Sequence, residues 1–286
     1  MKILVTGGSG FIGSHIVDKL IEAGHAVTVF DIKPPHRKDV RFIRGNIEDF
    51  NATLKVVKGQ KMVFHIAAFS NIDLVKDNPL TTVRSNILGT VNILEAARRN
   101  KVKRVILASS VYVYGNRGHL YTTAKLASEM LCKDYFTLYK LPYTILRFGT
   151  AYGPRSRDAD VISIFVRRAI LGKPLLIKGG GGQKRNFIFV EDIAVGCAEA
   201  LRNIYENEIY DLKAKKAVSV KELAMMVNRL CGRKSRIVLG RSRYDDFQGS
   251  VEKNPAMISV AQNILLRDTG LAEGIRKYVY WLQGRQ

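Results

Sequence analysis

Residues 2–13 read KILVTGGSGFIG, and few short stretches restrict a fold so tightly. A β-rich apolar run passes directly into Gly7, Gly10 and Gly13 at GxxGxxG spacing, and a helical pattern begins inside the glycine stretch. A tight turn needs a residue tolerant of positive φ, and a pyrophosphate can approach only backbone without a side chain. A third glycine lets helix pack on strand, while the helix N-terminus presents partial positive charge. Gly7, Gly10, Phe11, Ile12 and Gly13 are therefore the candidate dinucleotide cradle. Asp31 closes the next strand-like run, 18 residues past Gly13. A carboxylate there accepts bonds from a ribose 2′-hydroxyl and repels a 2′-phosphate, which favours NAD over NADP. The basic residues that follow, Lys33, Arg37 and Lys38, pull the other way.

The same rhythm continues through the first half. Strand-like runs occur at 2–6, 26–31, 40–45, 62–67, 104–109 and 143–148, with helical periodicity over Phe11 to Ala23, Pro79 to Asn100 and Tyr121 to Lys140. Strands alternating with helices predict right-handed βαβ units: an α/β, Rossmann-type, doubly wound parallel sheet with helices on both faces. Beyond about residue 153 the alternation breaks, glycines cluster in KGGGGQ (178–183), and a strand-like FIFV follows at 187–190. The expected division is a cofactor-binding domain over 1–153, to which 187–212 returns, and a smaller C-terminal substrate-binding region over 154–286.

Bulk properties narrow the class. A chain of 286 residues, 47% hydrophobic and 25% charged, has the composition of a soluble globular protein. No apolar run approaches the ~20 residues of a membrane span, and MKILV is too short for a signal-peptide core. Cys132, Cys197 and Cys231 are scattered without CxxC spacing and read as reduced thiols of a cytoplasmic protein. His65 follows an apolar run and reads as a structural histidine of a buried strand. The other histidines lack metal-ligand spacing, so no metal is expected. The net charge of +21 is the one oddity, and residues 213–243 hold ten basic residues against one acid, Glu222. Such an excess attracts nucleic acid, an anionic membrane surface or a phosphorylated substrate. No RNA-binding aromatic motif or zinc finger accompanies it.

These segments together resemble the extended short-chain dehydrogenase/reductases, in particular the NAD-dependent nucleotide-sugar epimerases and dehydratases of the UDP-glucose 4-epimerase kind. The likeness runs over most of the chain: TGGSGFIGSH, GNIED (45–49), HIAA (65–68), NILGTVNILEAAR (86–98), ILASSVYVYG (106–115), LRFGTAYGPR (146–155) and QKRNFIFVEDIA (183–194). The resemblance implies that Asn46 and Ile47 lie on the adenine side, with Asn46 where the family usually has aspartate. It implies further that Ala67, Ala68 and Asn86 flank the cofactor. It makes Ser110, Tyr121 and Lys125 catalytic. Tyr121 and Lys125 are four apart, so a helix places them on one face. A free phenol ionises near pH 10, and an adjacent ammonium favours the phenolate. Lowering such a phenol by ~3 units corresponds to roughly 4 kcal/mol. Lys125 would also bond the nicotinamide ribose, while Ser110 holds the substrate hydroxyl whose proton Tyr121 takes.

Within the family, dehydratases and decarboxylases carry acids just after the catalytic Ser/Thr. Here Val111 and Tyr112 follow Ser110. The expectation is therefore C4 epimerisation through a 4-keto sugar, with an NAD(P)H-dependent reductase as the second reading. A non-catalytic RNA-binding or assembly protein of the same fold is the rival from another class, and the presence of both Tyr121 and Lys125 speaks against it. On the substrate side the resemblance assigns Thr150, where the family usually has asparagine, and the phosphate-binding Arg185 and Arg243. It also implies a homodimer through helices at 86–100 and 121–140. Ser110 and Tyr121 are only 11 residues apart, a shorter connection than relatives commonly have, which implies less cover over the sugar.

Overall fold

The computed structural model describes all residues except 116–119, 157–159, 233–234, 241–260, 265–266 and 285–286. From the N-terminus run β1 (Lys2–Thr6), α1 (Phe11–Glu22), β2 (Ala26–Asp31), β3 (Arg41–Arg44), α2 (Phe50–Val57) and β4 (Met62–His65). Next come α3 (Ile72–Val75), α4 (Pro79–Val83), a π-helical turn (Arg84–Leu88), α5 (Gly89–Arg99) and β5 (Arg104–Ser110). A 3₁₀ turn (Val111–Tyr114) precedes α6 (Leu120–Tyr139) and β6 (Tyr143–Phe148). The remainder holds β7 (Thr150–Tyr152), α7 (Val161–Ile170), β8 (Leu175–Lys178), β9 (Lys184–Arg185), β10 (Phe187–Phe189) and α8 (Val190–Glu199). It ends with β11 (Glu208–Leu212), β12 (Val218–Ser219), α9 (Val220–Leu230), β13 (Ile237–Gly240), β14 (Gln262–Asn263) and α10 (Leu271–Leu282).

The chain divides into two compact units. The first comprises Met1–Phe148, Ala194–Leu212 and Val251–Ile264; the second, Gly149–Ile193, Lys213–Ser250 and Leu265–Gln286. In the first, eight strands pair in the order β14-β11-β6-β5-β4-β1-β2-β3, all in parallel. The order reverses between β1 and β4, the topological switch point at which open α/β sheets bind ligands beyond their strands' C-terminal ends.

Alternation along the strands fixes the two faces. Leu4, Phe30, Val63, Val105 and Ile145 pack with Val56 and Val57 of α2, Ile93 and Ala97 of α5, and Cys132 of α6. The intervening Val29 points the other way, where it meets Val17 of α1 above Gly8. Strands buried on both faces read as near-continuous apolar runs, as the sequence does here.

Three local features depart from the sequence reading. Helix α2 escapes it, because eight residues make little more than two turns; its start is fixed by Asp49, whose carboxylate accepts the Ala52 N–H at 3.0 Å. The periodic stretch 79–100 is not one α-helix but is interrupted by the π-turn at Arg84–Leu88. The strand at 187–190 stops at Phe189, and Val190 already opens α8.

In the second unit, three two-stranded pairs, β10–β7, β12–β9 and β13–β8, surround a core of its own. Tyr152, Phe165, Leu175, Phe187, Phe189, Leu223, Val227 and Tyr278 form that core. Ser219 and Glu222 close a capping box at the start of α9. Among the described residues, no helix is long and apolar enough to cross a membrane.

Candidate active site

The glycine turn has the geometry the sequence asks for. Gly7 adopts φ +69°, and a Cβ there would lie 2.6 Å from the Ala67 nitrogen; one on Gly13 would lie 2.1 Å from the Gly7 carbonyl oxygen. No larger residue fits either position, so backbone alone forms the floor beside β1 and the start of α1. Gly10 occupies the N-cap without a side-chain bond, and Ser14 N–H is the amide that reaches the Gly10 carbonyl. The amides of Phe11, Ile12 and Gly13 belong to the first turn, which has no intrahelical acceptor for them. A diphosphate fits this cradle.

Asp31 stands at the end of β2 with its carboxylate fixed from two sides. Oδ2 accepts the Ser9 N–H at 3.0 Å and Oδ1 accepts the Lys33 N–H at 3.1 Å. Each oxygen keeps lone-pair capacity for a ribose hydroxyl. Arg37, which the sequence offered as a 2′-phosphate ligand, is committed elsewhere: it forks onto Asp39 at 2.8 and 2.6 Å and reaches Asp18 at 3.1 Å. That engagement removes one argument for NADP. Asn46 is exposed just after β3, its Oδ1 accepting the Glu48 N–H at 3.0 Å, and the neighbouring Ile47 is buried.

Ala67 and Ala68 follow β4. Ala67 N–H donates to Thr6 Oγ1 at 3.3 Å. The segment is pinned by the buried amide of Asn86, whose Oδ1 accepts the Phe69 N–H at 2.7 Å and whose Nδ2 donates to the Phe69 carbonyl at 3.0 Å. Asn86 lies in the π-turn, so its carbonyl is also drawn into side-chain bonds, accepting from Thr90 Oγ1 at 2.7 Å and Ser128 Oγ at 2.9 Å.

The catalytic candidates sit at the C-terminal end of β5 and the N-terminal end of α6. Ser110 ends β5, 7% exposed, its Oγ accepting the Tyr112 N–H at 3.3 Å. Tyr121 is half-buried in the first turn of α6. One turn later Lys125, 6% exposed, sends Nζ to the Ala108 carbonyl at 2.8 Å and lies 5.8 Å from the centroid of the Tyr121 ring. Burial pulls the ammonium down to about 8, against an opposing pull from Glu129. One of its three N–H donors is used by Ala108, which leaves two for hydroxyls of a nicotinamide ribose.

His65 is buried and takes no direct part: Thr6 Oγ1 lies 2.9 Å from Nδ1 and Thr90 Oγ1 lies 3.1 Å from Nε2. Burial, with Lys125 nearby, holds its pKa down to about 3, so the ring is neutral. Thr150 opens β7 in the second unit, its N–H bonded to the Asn186 carbonyl at 3.0 Å. Arg185 lies on β9, where Val218 of β12 pairs with it. Arg243 lies outside the described residues. Among the described residues no group of His, Cys, Asp and Glu could hold a metal ion.

One cluster was invisible in the sequence. Glu129, one turn past Lys125, is a buried carboxylate that accepts Ser109 Oγ–H at 2.5 Å and the Arg147 guanidinium at 2.9 and 2.6 Å. Arg147 reaches on to the Tyr114 hydroxyl at 3.0 Å, and that hydroxyl donates to Asp211 at 2.8 Å. The spacing KLASE, with an acid four residues after the lysine, was its only sequence trace.

Residues 3–212 match the NAD dependent epimerase/dehydratase family. The chain is 33% identical to a Methanocaldococcus jannaschii protein named "Putative UDP-glucose 4-epimerase", over 98% of each chain. It is also 33% identical to a Bacillus cytotoxicus UDP-N-acetyl-alpha-D-glucosaminuronate decarboxylase, over 83% of this chain and 82% of that one. The crystal structure of a Thermotoga maritima UDP-glucose 4-epimerase with UDP-glucose superposes with a TM-score of 0.87 at 27% identity, covering 99% of both chains. An open parallel sheet with a glycine cradle at its switch point and a tyrosine–lysine pair beyond β5 is thus joined to a family match over most of the sequence: this chain belongs to the NAD dependent epimerase/dehydratase family.

Proposed function

We propose that the protein epimerises a UDP-hexose at C4, of the UDP-galactose/UDP-glucose type, through a transient 4-keto sugar. The observation that carries this reading is Lys125: a buried ammonium held by the Ala108 carbonyl on β5 and facing the Tyr121 ring. The strand that supplies Ala108 ends at Ser110.

The cradle residues Gly7, Gly10, Phe11, Ile12 and Gly13 hold the diphosphate of NAD, and Asp31 its adenosine ribose. Asn46 and Ile47 border the adenine, while Ala67, Ala68 and Asn86 line the path to the nicotinamide end. Bound there, NAD supplies a reversible acceptor for the hydride of the sugar C4 carbon. The protein's own work is proton transfer and orientation. Ser110 Oγ holds the C4 hydroxyl. Tyr121 takes its proton as the carbonyl forms and returns it when the alcohol re-forms on the opposite face. Lys125 stabilises the phenolate and fixes the ribose. Arg185 is a free guanidinium among the described residues, suited to bidentate contact with the nucleotide's diphosphate. Thr150 and Arg243 are assigned to the same substrate.

Decarboxylation is disfavoured although a decarboxylase is among the relatives, because Val111 and Tyr112 follow Ser110 and offer no carboxylate at the position that chemistry uses. Epimerisation needs no second acid and regenerates its cofactor each cycle. The free thiols Cys132, Cys197 and Cys231 suit a reducing cytoplasm. Exposed Leu88, Met130, Leu138 and Tyr139 on and beside α5 and α6 suit pairing with a second copy.

The test is interconversion of UDP-galactose and UDP-glucose by the purified protein with NAD. We expect turnover without net NADH, and a loss of about 10²–10⁴-fold in kcat for Tyr121→Phe with NAD binding retained. No interconversion by a protein that binds NAD would overturn the UDP-hexose assignment.

A further inference from the structure

Glu129 belongs to none of the roles assigned above, yet its carboxylate is more deeply enclosed than any catalytic candidate, at 3% exposure. A helix brings residues four apart to within about 5–6 Å at Cβ, so the carboxylate lies one turn behind the Lys125 ammonium. It is not a direct partner of that ammonium, whose hydrogen bond goes to Ala108. Its oxygens are fixed instead by Ser109 Oγ–H and by the forked guanidinium of Arg147. Ser109 immediately precedes Ser110. Arg147 stands on the neighbouring strand β6, its guanidinium carbon 4.8 Å from the centroid of the Tyr114 ring.

We propose that Glu129 is a positioning residue whose charge keeps Lys125 protonated in its buried site, and that Arg147 sets how much of that charge Lys125 feels. This rests on the catalytic reading of Lys125. A buried ammonium loses its proton readily unless a negative charge is held nearby, and a neutral amine gives a phenolate no Coulombic support. The carboxylate is rigid because three donors fix it, so its field at Nζ is constant. Arg147 neutralises part of that field, and Asp211 on β11 closes the set through Tyr114. The two buried cations, Lys125 and Arg147, are thus matched by two buried carboxylates.

Among the described residues, the titratable groups tied to this pair by hydrogen bonds, a ring contact or charge come from α6, β4, β6, β11 and the 3₁₀ turn. They are Tyr121 and Cys132 from α6, His65 from β4, Tyr143 and Arg147 from β6, Tyr114 from the 3₁₀ turn and Asp211 from β11. His65 is neutral, and burial followed by the Glu129 charge pushes the Cys132 thiol up. Burial likewise raises the Tyr114 and Tyr143 phenols, so these stay uncharged at neutral pH. Among these described groups, Glu129 acts on Lys125 directly, and Arg147 and Asp211 act through their bonds to Glu129 and Tyr114.

The decisive feature is that the two ends of the fork should act with opposite sign. Competitive labelling of lysines with acetic anhydride, followed by mass spectrometry of the peptide holding Lys125, reads the deprotonated fraction against pH with no substrate present. In Glu129→Gln the Lys125 midpoint should fall by about one pH unit, and in Arg147→Met it should rise. The double variant, Glu129→Gln with Arg147→Met, should return towards the native value and keeps the test available if either single variant folds poorly. The alkaline limb of the pH profile of kcat should move in the same directions, with KM little changed. Midpoints that stay in place, or that move together in both single variants, would overturn the proposal and leave Glu129 as a brace between α6, β5 and β6. Shifted midpoints in a protein that turns over no UDP-hexose would leave this inference standing and remove only the substrate assignment.

Discussion

Two buried polar clusters of the first unit meet on α6 at consecutive residues, Ser128 and Glu129, and they solve burial in opposite ways. The Ser128 cluster is neutral: Thr6, His65, Thr90, Ser128 and the Asn86 carbonyl pass hydrogen bonds from β1 to the π-turn. The Glu129 cluster is ionic, with Lys125, Arg147 and Asp211. In the first, desolvation has chosen the uncharged form of the only titratable ring. In the second, a bidentate guanidinium fork pairs with a carboxylate at 4% side-chain exposure. A neutral cluster tolerates editing, because each member costs no more than a hydrogen bond. An ionic one tolerates removal of a whole pair far better than of one member.

The largest effect should therefore come from halving the ionic pair. Glu129→Ala leaves the Arg147 guanidinium buried opposite a neutral residue, and we expect a loss of about 3–5 kcal/mol in urea unfolding. Replacing both, Glu129→Leu with Arg147→Met, should recover most of that loss, since well-packed apolar residues often match a buried pair. A double variant as unstable as the single one would break the comparison.

The neutral cluster makes a different demand, on pH. His65 ionises at about 3 in the folded chain against 6.5 unfolded, burial being the main cause and Lys125 the second. The folded form thus binds fewer protons than the unfolded one between these values, and stability falls as pH drops below 6.5. At pH 5 the contribution is a loss of about 2 kcal/mol relative to pH 7.5. His65→Gln should flatten that slope. Unfolding titrations of both proteins at pH 5 and 7.5 would show the variant weaker at 7.5 and the gap narrowed at 5. A constant gap would place a charge in a cluster argued to have none.

The contrast also explains what the sequence disclosed. The cradle was readable because Gly7 and Gly13 have no substitutes at their positions, and Asp31 because it ends a strand at a fixed distance. Strands such as KILVT and YTILRF announced themselves because both faces are buried. Tyr121 and Lys125 could be paired on one helix face from spacing, but their position beyond β5 needed the family resemblance. Glu129, Arg147 and Asp211 could not be read: a charged residue in a helix or strand is ordinarily solvated, and only tertiary pairing across β5, β6, β11 and α6 buries these. The π-turn was hidden for a similar reason, since an apolar period cannot register one extra residue absorbed within a helix.

The smallest effect tests how redundant the neutral cluster is. Ser128 Oγ lies 2.9 Å from the Asn86 carbonyl and 2.8 Å from the Ala124 carbonyl, but a hydroxyl has one proton to give. Thr90 Oγ1 already donates to the Asn86 carbonyl at 2.7 Å. Ser128→Ala therefore orphans no acceptor there, and it should cost about 0.5–1 kcal/mol. Thr90→Val should cost more, about 1–3 kcal/mol, because it removes that donor and the partner of His65 Nε2 together. Thermal unfolding of the two variants side by side reads the difference. Were Ser128→Ala the costlier, the Asn86 carbonyl would depend on Ser128 rather than Thr90, and the π-turn would be fastened from α6 instead of from within its own helix.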